Sequence, residues 1–194
     1  MESTLKNMVL TLFVITFVAS SAVGLVYQVT KDPIAAAKQA KLSAALGEVL
    51  PSNFDNEPSQ DQQVKDVDGG QVTIYTAKSG DQVVGYAVET FTMNGFGGRI
   101  KLMAGFLPDG NITKIAVLEH AETPGLGNKI EPSKSDFSLQ FEGKNPASYT
   151  LKVKKDGGDV DAITASTITS RAYLDAVQRA YNTVFSTMKG GANE

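Results

Sequence analysis

"GGRIKLMAGFLPDGNITKIAVLE", residues 97–119, decides the fold. Ile100, Leu102 and Ala104 stand two apart, the period that turns side chains to one face of a strand. The chain breaks around Asp109-Gly110, a hairpin signal. Ile112, Ile115 and Val117 then resume an apolar run with a slip in register. The two runs, 97–106 and 111–119, predict an antiparallel hairpin with one buried face. Upstream, "QVTIYTAK" (71–78) and "QVVGYAVET" (82–90) alternate in the same way and are joined by Ser79-Gly80-Asp81, a second hairpin. Downstream, "ASYTLKVKK" (147–155) reads as a further strand.

Helical sequence flanks these strands. From about Thr169 to Met188, Tyr173, Val177, Ala180, Tyr181, Val184 and Met188 make a continuous apolar stripe, stopped by Gly190-Gly191. In "DPIAAAKQAKLSAALGEVLP" (32–51), Asp32 and Pro33 read as a cap and first turn. Ile34, Ala37, Ala40, Leu42, Leu46 and Leu50 follow at helical spacing, and Gly47 and Pro51 read as its end. "SNFDNEPSQDQQ" (52–63) is polar and reads as a loop. The architecture expected is α+β: an antiparallel sheet with packed helices. There is no 20–50-residue repeat and no low-complexity tract.

No charged residue occurs from Asn7 to Thr30. The apolar heart, Met8–Val26, spans about 28 Å as a helix, close to the hydrocarbon thickness of a bilayer. It predicts a transmembrane anchor over residues 1–30 with its short flanks, followed by an extracytoplasmic domain over 31–194. Lys6 and the free amino terminus favour a cytoplasmic N-terminus. That orientation puts the domain on the periplasmic side of an inner membrane. A signal peptide cleaved after "SSA", Ser20–Ala22, is the alternative. One span offers no bundle interior and no mid-depth ionisable group, so it cannot by itself form an ion pathway.

Composition narrows the chemistry. The 194 residues include no cysteine, no tryptophan and one histidine, His120, with a net charge of -3. Disulfides, thiolate metal sites, iron–sulfur clusters and thiol catalysis are excluded. A metal site would need carboxylates almost alone, and no basic run suggests nucleic acid. Two loops stand out. "HAETPGLGNKI" (120–130) carries Thr123-Pro124-Gly125, a turn, and a second glycine, Gly127, where backbone can approach a flat ligand. "DAITASTITSRAY" (161–173) gathers Thr164, Ser166, Thr167, Thr169 and Ser170 at the mouth of the last helix. One hydroxyl suffices for a cap, and a helix mouth is also a phosphate site. The only histidine lies far upstream, so a self-contained Ser/His/Asp hydrolase is not expected. If a hydroxyl reacts, another enzyme must catalyse it.

"DAITASTITSRA" resembles the Asp-x-x-Ser/Thr-Gly-Ala-Thr acceptor motif of the FMN-binding domain family, and "HAETPGLG" resembles that family's second signature. The order of anchor, sheet, loop, acceptor motif and terminal helix also matches, over nearly the whole chain. The resemblance implies FMN linked covalently through its phosphate to Thr167 by a flavin transferase, with Asp161 and Thr164 on the motif's other positions. Ala165-Ser166 stand where the family has Gly-Ala. If that glycine serves a positive φ, Ala165 carries strain, and Ser166 places a second hydroxyl beside the acceptor. The diester's charge is expected at backbone N–H groups near Thr169 and Ser170. Around the ring, Glu122 and Thr123 are expected to hydrogen-bond heteroatoms, Gly125 and Gly127 to admit the backbone, and Leu126 to make apolar contact. The implied function is an electron carrier within a membrane-bound ion-translocating oxidoreductase of the Rnf type, with the sodium-translocating NADH:quinone reductase type as the alternative. It is a redox subunit rather than a stand-alone catalyst, and no catalytic acid, base or metal ligand is assigned. Its partners would be the other subunits, the flavin transferase and the bilayer. A flavin-free, membrane-anchored assembly module is the alternative.

Overall fold

The computed structural model describes residues 4–190, with side chains through Phe185. The side chain of Met188, counted in the apolar stripe, and Gly191 lie outside the described residues. The chain divides into two compact units, Met1–Lys41 and Leu42–Glu194.

The first unit is helical from Leu5 onward. It belongs to α1, Leu5–Val49, which runs without a break and contains Pro33. The expected helix start at Asp32-Pro33 is therefore corrected. Proline removes one backbone donor, which is a single bond in a helix of 45 residues. The alanine run Ala35–Ala37 that follows favours helix strongly. α1 is long and apolar enough to cross a membrane, and none of its apolar window is buried. Thr11 and Thr16 return their hydroxyls to the carbonyls of Asn7 and Leu12, which satisfies them inside hydrocarbon.

The second unit is built on a five-stranded antiparallel meander in the order β1-β2-β3-β4-β5. The strands are β1 Gln62–Val67, β2 Gly70–Ser79, β3 Gln82–Gly95, β4 Gly98–Phe106 and β5 Ile112–Glu119. β1 begins inside the stretch read as loop. The slip noticed between the last two runs is real. Leu102 pairs with Val117, Ala104 with Ile115 and Phe106 with Ile112, the shift falling between Ala104 and Phe106. An extra residue in one strand is the geometry of a β-bulge.

Both faces of the sheet are buried, where one was expected. On one face Val88, Ile100, Leu102 and Phe106 pack under Tyr173, Val177, Ala180 and Val184 of α2, Thr167–Gly190. On the other, Tyr75, Ala77, Ala87, Met103 and Ala116 pack against Ala45, Leu46, Val49 and Leu50 at the end of α1. Small residues let that helix end come close. A Cβ on Gly105 would lie 2.3 Å from Val49 O, and Thr113 hydrogen-bonds the same carbonyl. Residues 147–155 are not a strand. They fold as turns with a short 3-10 segment, Lys154–Asp156, and Val153 makes one isolated bridge to Val160. Two bonds from β3 fix α2: Thr90 Oγ1 donates to Ala176 O at 3.0 Å in the core, and Thr92 Oγ1 donates to the partly exposed Asp175 at 2.7 Å.

Candidate functional site

The two loops singled out in the sequence meet beside the β3–β4 hairpin tip, and Glu122 joins all three. Its side chain is 5% exposed. Oε1 accepts the Gly97 N–H at 2.9 Å, and Oε2 accepts the Thr169 hydroxyl at 2.5 Å. A buried carboxylate needs such donors, and the short O–H···O distance is that of a charge-assisted bond. The Glu122 N–H donates to His120 Nδ1 at 3.0 Å, so the ring proton sits on Nε2 and faces Glu131 Oε1 at 2.7 Å. His120 is thus a structural histidine. Its hydrogen bond holds the Glu131 carboxyl below the ordinary 4.5.

The 123–130 loop is closed on itself. Thr123 O accepts from Leu126 N and Asn128 N, and Gly125, at φ +77°, donates to Asn128 Oδ1. Gly127 is required: a Cβ there would stand 2.5 Å from Glu122 Oε2 and 2.9 Å from Thr169 Oγ1.

The helix mouth sorts its hydroxyls. Ser166 N bonds Ile163 O at 3.0 Å, closing a turn in which Ala165 takes φ +61°. This is the left-handed conformation suspected from the sequence, and Ala165 is the one non-glycine to adopt it among the described residues. Ser170 is wholly buried; its hydroxyl accepts from Ile163 N and donates to Ser166 O. Thr169 is turned inward to Glu122. Thr167 is half-buried, and no described residue hydrogen-bonds its hydroxyl. The N–H groups expected to meet an anion near Thr169 and Ser170 need correcting, because Ser170 N is already bonded to Ser166 O. The N–H groups of Thr167, Ile168 and Thr169 are the open ones, as the first residues of a helix must be.

A cavity of about 350 Å³ lies between these pieces, of ligand-binding size. The loop contributes Glu122, Thr123, Leu126 and Gly127, the helix mouth Ala165–Thr169, and the hairpin tip Phe96. Asp161, Thr164, Ser170 and Gly125 do not line it. Asp161 points outward to Lys154 Nζ at 2.8 Å, and Thr164 sits exposed in the turn. Both Glu122 oxygens are engaged inside the protein, so the carboxylate acts as a brace behind the cavity. Phe96 and Ile168 escaped the sequence reading. The available signal for Phe96 was an aromatic residue set alone among three glycines, "NGFGG" (94–98).

Residues 95–182, which contain every lining residue, match the family model described as FMN-binding domain, and residues 1–49 match the one described as RnfG N-terminal region. The chain is 38% identical over 187 residues to the G subunit of the ion-translocating oxidoreductase complex of Shewanella amazonensis, covering 92% of this chain and 86% of that protein. Against the corresponding protein of Cereibacter sphaeroides it is 37% identical over 169 residues, 84% and 77% of the two chains. Against that of Vibrio atlanticus it is 36% identical over 188 residues, 93% and 90%. The chain belongs to the RnfG family. In this RnfG member the family-model boundary at residue 49 coincides with the end of α1, and the FMN-binding match opens at the tip glycine Gly95. The hairpin tip is thus part of the matched domain, with the loop and the helix mouth.

Proposed function

We propose that this protein is the FMN-carrying electron-transfer subunit of an Rnf-type ion-translocating oxidoreductase, with its flavin joined to Thr167 Oγ1 through the FMN phosphate. The observation that carries the reading is the Thr167 hydroxyl. It is accessible, has no partner among the described residues, and opens into a cavity beside three unbonded helical N–H groups. Those groups and the helix dipole favour the single negative charge of a phosphodiester. Phe96, Leu126 and Ile168 supply apolar surface for a flat ring, and Gly127 keeps the floor free of a side chain. The residues present therefore fit the group.

Bound there, FMN supplies the acceptance and release of electrons. The chain's own residues hold and shield it. Forming the link makes a Thr167 Oγ1–P bond, releases the hydroxyl proton, and breaks the pyrophosphate of an activated flavin dinucleotide, with a nucleoside monophosphate leaving. Glu122, the one carboxylate lining the cavity among the described residues, already accepts two hydrogen bonds, so removal of the proton falls to a flavin transferase. Ala165 takes the left-handed conformation that the motif's glycine would provide, which supports the flavin-carrying reading over a flavin-free module. The RnfG relatives favour the Rnf type over the NADH:quinone reductase alternative. We place Met8–Val26 across the inner membrane with the domain on the periplasmic side. Ion translocation belongs to partner subunits with several spans.

The test is intact mass and in-gel flavin fluorescence of the full chain made with its transferase. Thr167→Ala should lose the fluorescent band, and Thr164→Ala and Ser166→Ala should keep it. A band undiminished in Thr167→Ala would refute the assignment. The same mass reports whether the N-terminal segment is retained.

A further inference from the structure

β3 and β4 meet in the tip Gly95-Phe96-Gly97-Gly98, and sterics hold that tip shut. A Cβ on Gly95 would lie 2.3 Å from Gly98 O and 2.6 Å from Glu122 Oε1; one on Gly97 would lie 2.0 Å from Ala121 O. Gly98 takes φ +98°, and Gly97 N donates to buried Glu122. The tip is thus clamped on the 121–122 segment, and Phe96 is its one side chain. That side chain is 69% exposed and joins neither hydrophobic cluster, although it lines the cavity with Leu126 and Ile168. A lone exposed phenylalanine needs no explanation. One held rigidly at the lip of a cavity, facing two further exposed aliphatics, marks a ligand surface.

The geometry points to Phe96 as the ring-contact residue of this site: its phenyl group covers the isoalloxazine of the flavin and excludes water from it. This rests on the flavin reading above. An offset or edge contact between aromatic rings suits the role. Because the tip is fixed to Glu122, and Glu122 to Thr169, the aromatic wall and the attachment point keep a constant separation. The closed tip therefore selects a planar ligand whose ring reaches from Thr167 to Phe96.

The chain has no tryptophan, so Phe96→Trp installs a single indole, a strong quencher of flavin emission on contact. In the full chain, made with the transferase and purified in detergent, Phe96→Trp should lose most of its native flavin emission. Denaturant should restore that emission to the wild-type level. Val64→Trp, on exposed β1, should stay as bright as wild type. Phe96→Ala should keep the denaturing-gel flavin band while its flavin becomes more quenchable by iodide, and Phe96→Tyr should reverse the gain. Phe96→Trp as bright as Val64→Trp with the band intact would overturn the assignment, as would iodide access unchanged in Phe96→Ala. A wild-type chain without the band would instead sink the covalent reading. Free FMN added to Phe96→Trp then decides the ring contact: quenched indole emission supports it and unquenched emission overturns it.

Discussion

Replacing Ala165 by glycine should stabilise the protein, and the size of the gain follows from the backbone. Ala165 sits at φ +61°, a conformation that costs an L-residue with a Cβ about 1–2 kcal/mol and costs glycine nothing. Glycine also loosens the unfolded chain, which returns about 0.4–1 kcal/mol. The net gain is therefore about 0.8 kcal/mol at the centre of a range of about 0–1.6 kcal/mol. Ala165 is exposed, so removing its methyl group forfeits little packing and the measurement isolates the backbone contribution. For a chain of this size about 1 kcal/mol moves Tm by roughly 2–4 °C. Denaturant midpoints of the full chain in detergent, compared at equal m-values, give the same quantity. Ala165→Val supplies the opposite sign, since a β-branched side chain tolerates that region worst. The order Gly above Ala above Val is the expected result. Val equal to Ala, or Gly below Ala, would show that the turn does not hold a positive φ and would remove the explanation offered for the Ala165 departure. The flavin band should persist in Ala165→Gly, because the Thr167 hydroxyl keeps its place.

Thr169→Val removes the donor to a carboxylate that stays buried, a loss of about 1.5–3 kcal/mol for a bond to a charged group. Thermal unfolding should show a matching fall in Tm, and an unchanged Tm would mean the Glu122 bond is dispensable. Glu131 gives a pH signature. Its folded value is depressed, first by the His120 hydrogen bond, so its contribution is present above the ordinary 4.5 and is lost as pH falls through the lower folded value. The stability difference between wild type and Glu131→Gln should therefore shrink on acidification from neutral pH, read by denaturant titration at a series of pH values. A difference that does not vary with pH would refute it.

Period and turn chemistry carried most of the fold. α2 repeats because one of its faces meets the core, and the central hairpins alternate because their large aliphatic side chains turn to α2 while mostly small ones turn to the end of α1. β1 did not show, since "QQVKDV" at the sheet edge is mostly exposed and edge strands are commonly kept polar. Residues 147–155 alternate like a strand, yet Thr150 N is held by the Asp159 carboxylate and Lys154 N by Val160 O, which folds the segment back on itself. Burial of the sheet's second face by α1 was written in the alanines Ala77, Ala87 and Ala116, a pattern too quiet to outweigh the louder stripe. At the site, the hydroxyl cluster was legible but its sorting was not. Counting back four and three residues from Tyr173 reaches Thr169 and Ser170, which puts both on the buried stripe and leaves Thr167 off it.

Glu122 explains why three segments so distant in sequence converge. The donors that meet it are a backbone N–H from the hairpin tip and a hydroxyl from α2, one for each carboxylate oxygen. A glutamine would present one acceptor and one NH₂ group to this pair, so its oxygen could keep the Gly97 N–H only if the Thr169 hydroxyl turned from donor to acceptor, and the bond to a charged oxygen would be lost. An aspartate, one methylene shorter, would have to give up the tip or the helix. The glycines answer the same constraint from the other side. Gly95 and Gly127 each lie where a Cβ would come within 2.6 Å of a Glu122 oxygen. A two-acceptor side chain of this length, closely enclosed by backbone, is thus the element that fixes the cavity's width. Changes to ring environment are better sought at Phe96, Leu126 and Ile168, whose side chains are exposed and free to vary without disturbing that brace.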